Sequence, residues 1–154
     1  MISFREIIFA DARKILDWRT SDRVNKFSNS DMKYNIDEHL RWLSSNFNKP
    51  DYYHWIVQHA GKDVGYLNFV DWNTRNKTTQ WGFYLGEEKA LGVGYLVASY
   101  FYNFAFDVLR VERVLARVFY NNIRVIDLHL KQGYRFDPKR DYVISKNGKD
   151  ILNV

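Results

Sequence analysis

The sequence predicts a mixed α/β domain built on a single sheet. Three observations lead there. Strand-like and helix-period runs follow one another as β, two helices, an antiparallel run, then β-loop-α-β-α-β. Short turn signals, Gly61-Lys62-Asp63 and Asn73-Thr74-Arg75-Asn76, separate the central strands as they separate hairpin arms. An aromatic fraction of 18% with only two prolines in 154 residues favours a packed domain with aromatic-lined clefts over disorder.

The elements follow in order. Ile2 to Phe9 reads as an edge strand. Asp11 to Arg19 places Ala12, Ile15, Leu16 and Trp18 at helical spacing, with Asp11 as N-cap. Ser21 to Tyr34 is polar and irregular, a loop with room for one helical turn. Asn35 caps a second helix, Ile36 to Phe47, with Ile36, Leu40, Leu43 and Phe47 on one face. Tyr52–His59, Val64–Asp71 and Thr78–Leu85 alternate as strands. A glycine loop leads into a helix from Gly94 to Val108, followed by a strand from Arg113 to Phe119. Asn122 caps a helix ending at Lys131, with Gly133 as the residue that stops it. Tyr134–Phe136 and Tyr142–Ser145 close the chain as strands, with a last turn at Asn147-Gly148.

Length and the lack of linkers, repeats or low-complexity segments predict one domain over residues 1–154. With no cysteine, neither disulfides nor thiolate metal sites are available. The N-terminus lacks a basic-then-apolar signal pattern and no apolar run reaches membrane-spanning length, so a cytoplasmic protein without membrane contact is expected. The net charge of +5 suits an anionic partner. Its basic residues are scattered rather than blocked, which favours a small anionic ligand over nucleic acid. The four histidines, His39, His54, His59 and His129, share no ligand spacing with carboxylates, so no metal is expected.

The stretch Lys89-Ala90-Leu91-Gly92-Val93-Gly94 lies between a strand and a helix. Two glycines one residue apart let the backbone curl closely around an anion. The following helix then turns its unpaired N–H groups and positive dipole end to that anion. Gly-x-Gly in this position also serves as a plain tight turn.

With these residues the chain resembles the GNAT superfamily of acetyl-CoA-dependent N-acetyltransferases. Lys89, Gly92 and Gly94 stand where the family's phosphate loop reads Arg/Gln-x-x-Gly-x-Gly/Ala. Asn122-Ile123-Arg124-Val125-Ile126-Asp127-Leu128-His129, followed by Gly133-Tyr134, matches its second element, Asn-x-x-Ala-Ile-x-Leu-Tyr, three residues, Gly-Phe. Trp18-Arg19, Glu38-His39-Leu40-Arg41-Trp42 and Gln80-Trp81-Gly82-Phe83-Tyr84 are similar to the branch serving pseudaminic acid biosynthesis. That branch acetylates the 4-amine of a UDP-linked 4-amino-4,6-dideoxy sugar and sits near the ribosomal-protein N-terminal acetyltransferases.

The resemblance implies the GNAT fold, a mostly antiparallel twisted sheet flanked by about four helices and splayed at an acetyl-CoA cleft. It also implies acetyl-CoA as cosubstrate, held by Tyr84, Leu85, Lys89, Leu91, Gly92, Val93, Gly94, Tyr95, Asn122 and Val125, with the thioester carbonyl against the Tyr84–Leu85 backbone. Arg19, His39, Lys77, Gln80, Trp81 and Tyr84 would contact the nucleotide sugar. Direct attack in a ternary complex is the implied mechanism.

His129 departs from the family tyrosine that protonates the leaving thiolate. An imidazole titrating near neutrality can do the same; a helix-surface histidine is the other reading, with Tyr120 and Tyr134 as further acids. His39, or a water, is the candidate base, although its position also suits a structural role. Arg19 as a helix C-terminal cation, Lys77 as a solvated turn lysine and Tyr84 as a strand aromatic are the plainer readings of those residues. The rival acceptors are a protein N-terminus and a small amine such as a polyamine; a non-catalytic acyl-CoA- or nucleotide-binding module is the third reading. An exposed terminal strand offers a surface for a homodimer.

Overall fold

The elements of the computed structural model run β1 (Ile2–Glu6), α1 (Ala12–Thr20), α2 (Asp22–Asn25), α3 (Ile36–Asn46), β2 (Tyr53–His59), β3 (Lys62–Asn73) and β4 (Thr78–Leu85). They continue with α4 (Gly94–Asn103), β5 (Arg113–Leu115), α5 (Ile123–Lys131), β6 (Tyr142–Lys146) and β7 (Lys149–Asn153). The structure describes residues 1–30 and 32–154, and of Leu91 the backbone alone, so the expected cofactor contact of the Leu91 side chain lies outside the described residues. Two compact units emerge, one of residues 1–20 and 34–116, the other of residues 21–33 and 117–154.

The first unit holds a five-stranded sheet in the order β1-β2-β3-β4-β5. The first three pairings are antiparallel and β4–β5 is parallel, giving the mixed α/β architecture anticipated. Alternation along β2 to β4 produces two different faces. One is apolar: Val57, Leu67, Phe69 and Leu85 pack with Val97, Phe101 and Ala105 of α4 and its extension. The other joins Ile56 and Tyr66 to Ile15 and Trp18 of α1 and Leu43 of α3, and it carries the polar groups.

Several boundaries shift for identifiable reasons. The first hairpin turns at Ala60-Gly61, both with positive φ (49° and 76°), rather than at Gly61-Lys62-Asp63. Two left-handed residues match the twist of the flanking strands. Asp11 is no N-cap of α1. It ends a 3₁₀ turn, Phe9–Asp11, where its carboxylate accepts the Ile8 N–H (3.0 Å) and two bonds from Arg5 (2.7 and 2.8 Å). The helix predicted to Val108 is α-helical to Asn103 and continues as one wider π-turn over Phe104–Val108.

In the second unit, β6 and β7 form a separate two-stranded sheet around Asn147-Gly148, both at positive φ (52° and 72°). Tyr134–Phe136 is not a strand: Gly133, at φ 93°, ends α5, and the chain runs irregularly to a 3₁₀ turn at Pro138–Arg140. The strand predicted to reach Phe119 stops at Leu115; Val118 then exchanges backbone bonds with Val154, and Phe119 bridges Asn153. Lys146 is buried, with its ammonium on the carbonyls of Asn25 and Ser28.

Candidate active site

β4 organises the first unit's site. Its parallel pairing with β5 covers Thr78–Gln80 and does not extend to Gly82, Phe83 and Tyr84. The sheet thus splays along the half of β4 that leads into the glycine loop. On its antiparallel side β4 stays paired with β3 as far as Leu85, so the strand is held while one edge opens.

The two faces of β4 divide the expected residues. Trp81 points to α4, stacked on Phe101 (4.7 Å between centroids) and Phe83 (5.9 Å). Tyr84 lies on the opposite face, stacked on Tyr66 (5.3 Å). There the Arg19 guanidinium lies over Trp42 at 5.0 Å, and Trp42 in turn stacks on His39 at 5.2 Å. Helical spacing brings His39 and Trp42, three residues apart on α3, onto one face. Among the described residues Arg19 forms no ion pair.

His39 is buried, and neither ring nitrogen makes a hydrogen bond of acceptable geometry. Burial pushes its pKa down, the Arg19 charge adds to that, and the Ala12 backbone partly opposes it. The Tyr84 hydroxyl is likewise buried and unpartnered. Burial drives its pKa well up against the opposing pull of Arg19, so it stays a neutral phenol. An unpaired buried polar group costs about 1–3 kcal/mol; the Tyr84 hydroxyl is one, and the His39 ring beside it lacks a well-formed bond. The floor beneath is satisfied: Tyr66 bonds Tyr52 (2.8 Å), Asn68 donates to Tyr52 (3.0 Å), and His54 Nδ1 lies 3.4 Å from the Tyr66 hydroxyl. Burial lowers the His54 pKa to about 4, leaving it neutral.

Beyond Leu85 the chain enters a 3₁₀ turn, Glu88–Val93, and then α4. No Val93 side-chain bond caps α4, whose first N–H groups have no partners within the helix. A Cβ at Gly92 would meet nothing within 4 Å, and one at Gly94 would make ordinary contact with Phe83. The fold itself therefore does not require glycine at position 92, and close approach of something outside the chain would. Lys89 and Tyr95 are exposed beside it, and Val93 is half-buried.

In the second unit Asn122 sits at the N-cap of α5, but its side chain makes no capping bond; only its carbonyl holds the Val125 and Ile126 N–H groups. Capping therefore does not occupy the Asn122 amide. Val125, one turn on, is half-buried. His129 Nδ1 lies 3.4 Å from Gln132 Oε1, and its ring packs at 4.7 Å from Tyr134. Burial lowers its pKa, partly offset by Gln132.

The structure brings Arg19, His39 and Tyr84 together and places Trp81, Lys77 and Gln80 away from them. The Trp81 ring packs into the α4 core on the other face of β4. Lys77 is ion-paired with Glu112 (2.7 Å) in the turn before β4. Eight residues of extended strand, roughly 25 Å, separate it from the glycine loop. Gln80 donates to Asp71 (2.7 Å) near that far end. Trp42, packed against the core of this face, is also the aromatic plate for both Arg19 and His39, three residues from His39 on α3.

Among the described residues no three His, Cys, Asp or Glu side chains are grouped to hold a metal, and no helix is long and apolar enough to cross a membrane. Comparison with known proteins finds that the model of the acetyltransferase (GNAT) domain matches residues 2–135. The Campylobacter jejuni acetyltransferase PseH is 25% identical over 142 residues, covering 91% of this chain and 87% of that protein. The crystal structure of C. jejuni N-acetyltransferase PseH with acetyl coenzyme A aligns at TM-score 0.68 and 18% identity, covering 99% and 96% of the two chains. Spermidine N-acetyltransferase from Vibrio cholerae, in complex with CoA and spermine, aligns at TM-score 0.84 and 13% identity, over 99% and 92%.

Proposed function

The chain belongs to the acetyltransferase (GNAT) domain family and is an acetyl-CoA-dependent N-acetyltransferase, and on that premise we propose that its acceptor is the amine of a nucleotide-linked 4-amino-4,6-dideoxy sugar. The observation that carries this reading is the cluster of Arg19, His39 and Tyr84: among the described residues, a cation in no ion pair beside a buried imidazole and a buried phenol hydroxyl that lack well-formed hydrogen bonds. An acceptor bearing phosphates and ring hydroxyls supplies the missing anion and hydrogen bonds. A polyamine would instead bring cations toward Arg19, which disfavours it. The likeness to C. jejuni PseH supports the same acceptor class.

In this reading the glycine loop and the α4 N-terminus take the CoA diphosphate, with Lys89 as an added charge. The thioester carbonyl lies against the Tyr84–Leu85 backbone, whose donors stabilise the developing oxyanion. The neutral amine attacks the carbonyl carbon, the C–S bond breaks, and the amine's proton leaves to His39 or a water it holds. His129, by its place in the second motif, returns a proton to the thiolate. The reaction would run in the cytoplasm.

Coenzyme A release from acetyl-CoA, measured with UDP- and dTDP-linked 4-amino-4,6-dideoxy sugars, short peptides and spermidine, tests the proposal. Release with a sugar nucleotide alone is expected. Release with peptides or spermidine alone would sink the sugar reading.

A further inference from the structure

The junction between β4 and the glycine loop is fastened to α1. The Trp18 indole N–H donates to the Glu87 carboxylate at 3.0 Å. A Cβ placed on Gly86 would come within 2.1 Å of the Trp18 ring, so the indole lies directly on the glycine backbone. Glu87 is also held through its main chain: its N–H donates to Val64 of β3 (3.1 Å), and its carbonyl accepts from Ala90 (3.0 Å) inside the 3₁₀ turn. Trp18 is buried, whereas Glu87 is exposed. An exposed carboxylate is ordinarily left to water; here it is spanned to a core indole. The next residue along α1 is Arg19, on Trp42. One helix end thus grips the loop with Trp18 and presents the cation with Arg19.

We infer that Trp18 and Glu87 are positioning residues that fix the conformation of the loop 88–94, so that its backbone is set for the cofactor before it arrives. A loop ordered in advance spares acetyl-CoA the entropy of arranging it. The inference rests on the reading that this loop holds the CoA diphosphate. Neither residue touches the reacting atoms; their effect belongs in cofactor affinity rather than in the chemical step.

The test uses the full chain, measuring CoA binding by calorimetry, kcat and KM for acetyl-CoA, thermal midpoint, and amide hydrogen exchange over residues 86–94. Glu87→Ala should weaken CoA binding and raise KM for acetyl-CoA about five- to tenfold, the scale of one lost hydrogen bond. Its kcat should stay within about twofold, with faster exchange confined to the loop. Glu87→Gln keeps an acceptor oxygen and should recover most of the affinity; Trp18→Phe keeps an aromatic ring but loses the N–H donor, and should weaken CoA binding as Glu87→Ala does. A lower thermal midpoint with CoA affinity intact would overturn the inference, as would Glu87→Gln behaving like Glu87→Ala. Gly92→Val separates the underlying reading: if it too leaves CoA affinity intact, the loop is not the diphosphate site; if it alone weakens binding, the Trp18–Glu87 contact is not the device.

Discussion

Arg19 shows how a single side chain acquires a function from its surroundings. A guanidinium stacked on indole and lacking a carboxylate keeps its charge available, whereas Lys77, bonded to Glu112, does not. Arg19→Ala is expected to raise KM for the acceptor about tenfold or more and leave KM for acetyl-CoA near its starting value, checked by varying each substrate separately. Arg19→Lys should recover little, because an ammonium loses the planar stacking and the fork of donors. At the other histidine, His129→Phe should lower kcat by roughly a hundredfold while CoA binding persists by calorimetry; His129→Tyr, which restores the family residue, should retain activity. His39 titrates below the ordinary imidazole value because it is buried and faces Arg19. If it accepts the amine's proton, the rate falls as pH drops through that depressed pKa. His39→Gln should remove this limb from the pH profile.

At the scale of elements, three glycines that look alike in sequence do different things. Gly65 lets β3 approach β4, since a Cβ there would lie 2.4 Å from the Tyr84 carbonyl oxygen. Gly86 makes room for Trp18. Gly92 has open space where its side chain would be. Gly92→Ala should therefore leave the thermal midpoint within about 2 °C, a change expected of a surface substitution of under 0.5 kcal/mol, yet raise KM for acetyl-CoA several-fold. Gly65→Ala should lower the midpoint outright. The glycine loop itself was legible from the strand before it and the apolar helix after it. The extent of β5 was not: three residues pair with β4 and then the chain leaves, and nothing in Arg113–Phe119 signals that exit, because the open edge it creates depends on what the other strands do.

Across the whole molecule, acid should unfold the protein in two stages. His39, His54 and His129 all titrate below 6.5 in the folded state, chiefly through burial, so the unfolded chain takes protons first. Stability is complete above about pH 6.5 and declines as pH falls toward the folded values, about 4 for His54. The loss attributable to His54 alone reaches roughly 3 kcal/mol by the low end of that window. A second loss follows below pH 3.8, where Asp11 and Asp63, both held down chiefly by hydrogen bonds from Arg5, must be protonated. Denaturant unfolding from pH 8 to 2 reads the first stage and the onset of the second. His54→Asn should flatten the upper one, and Asp63→Asn the lower.

The sequence by itself determined the order of elements as far as α5, the mixed sheet, the glycine loop, and the two motifs that place the chain among acetyl-CoA-dependent acetyltransferases. Those signals are local: strand alternation, helix period and turn residues are read within a dozen positions. The tertiary structure decided which expected site residues meet. Trp81 and Tyr84 are three apart on one strand, so an odd step puts them on opposite faces. Arg19 and His39 come from helices 15 residues of chain apart, between Thr20 and Ile36, and only packing over β3 and β4 sets them beside Tyr84. Burial, and with it the orphaned polar groups and displaced pKa values, arises when several elements exclude water together, a property no single stretch of sequence carries.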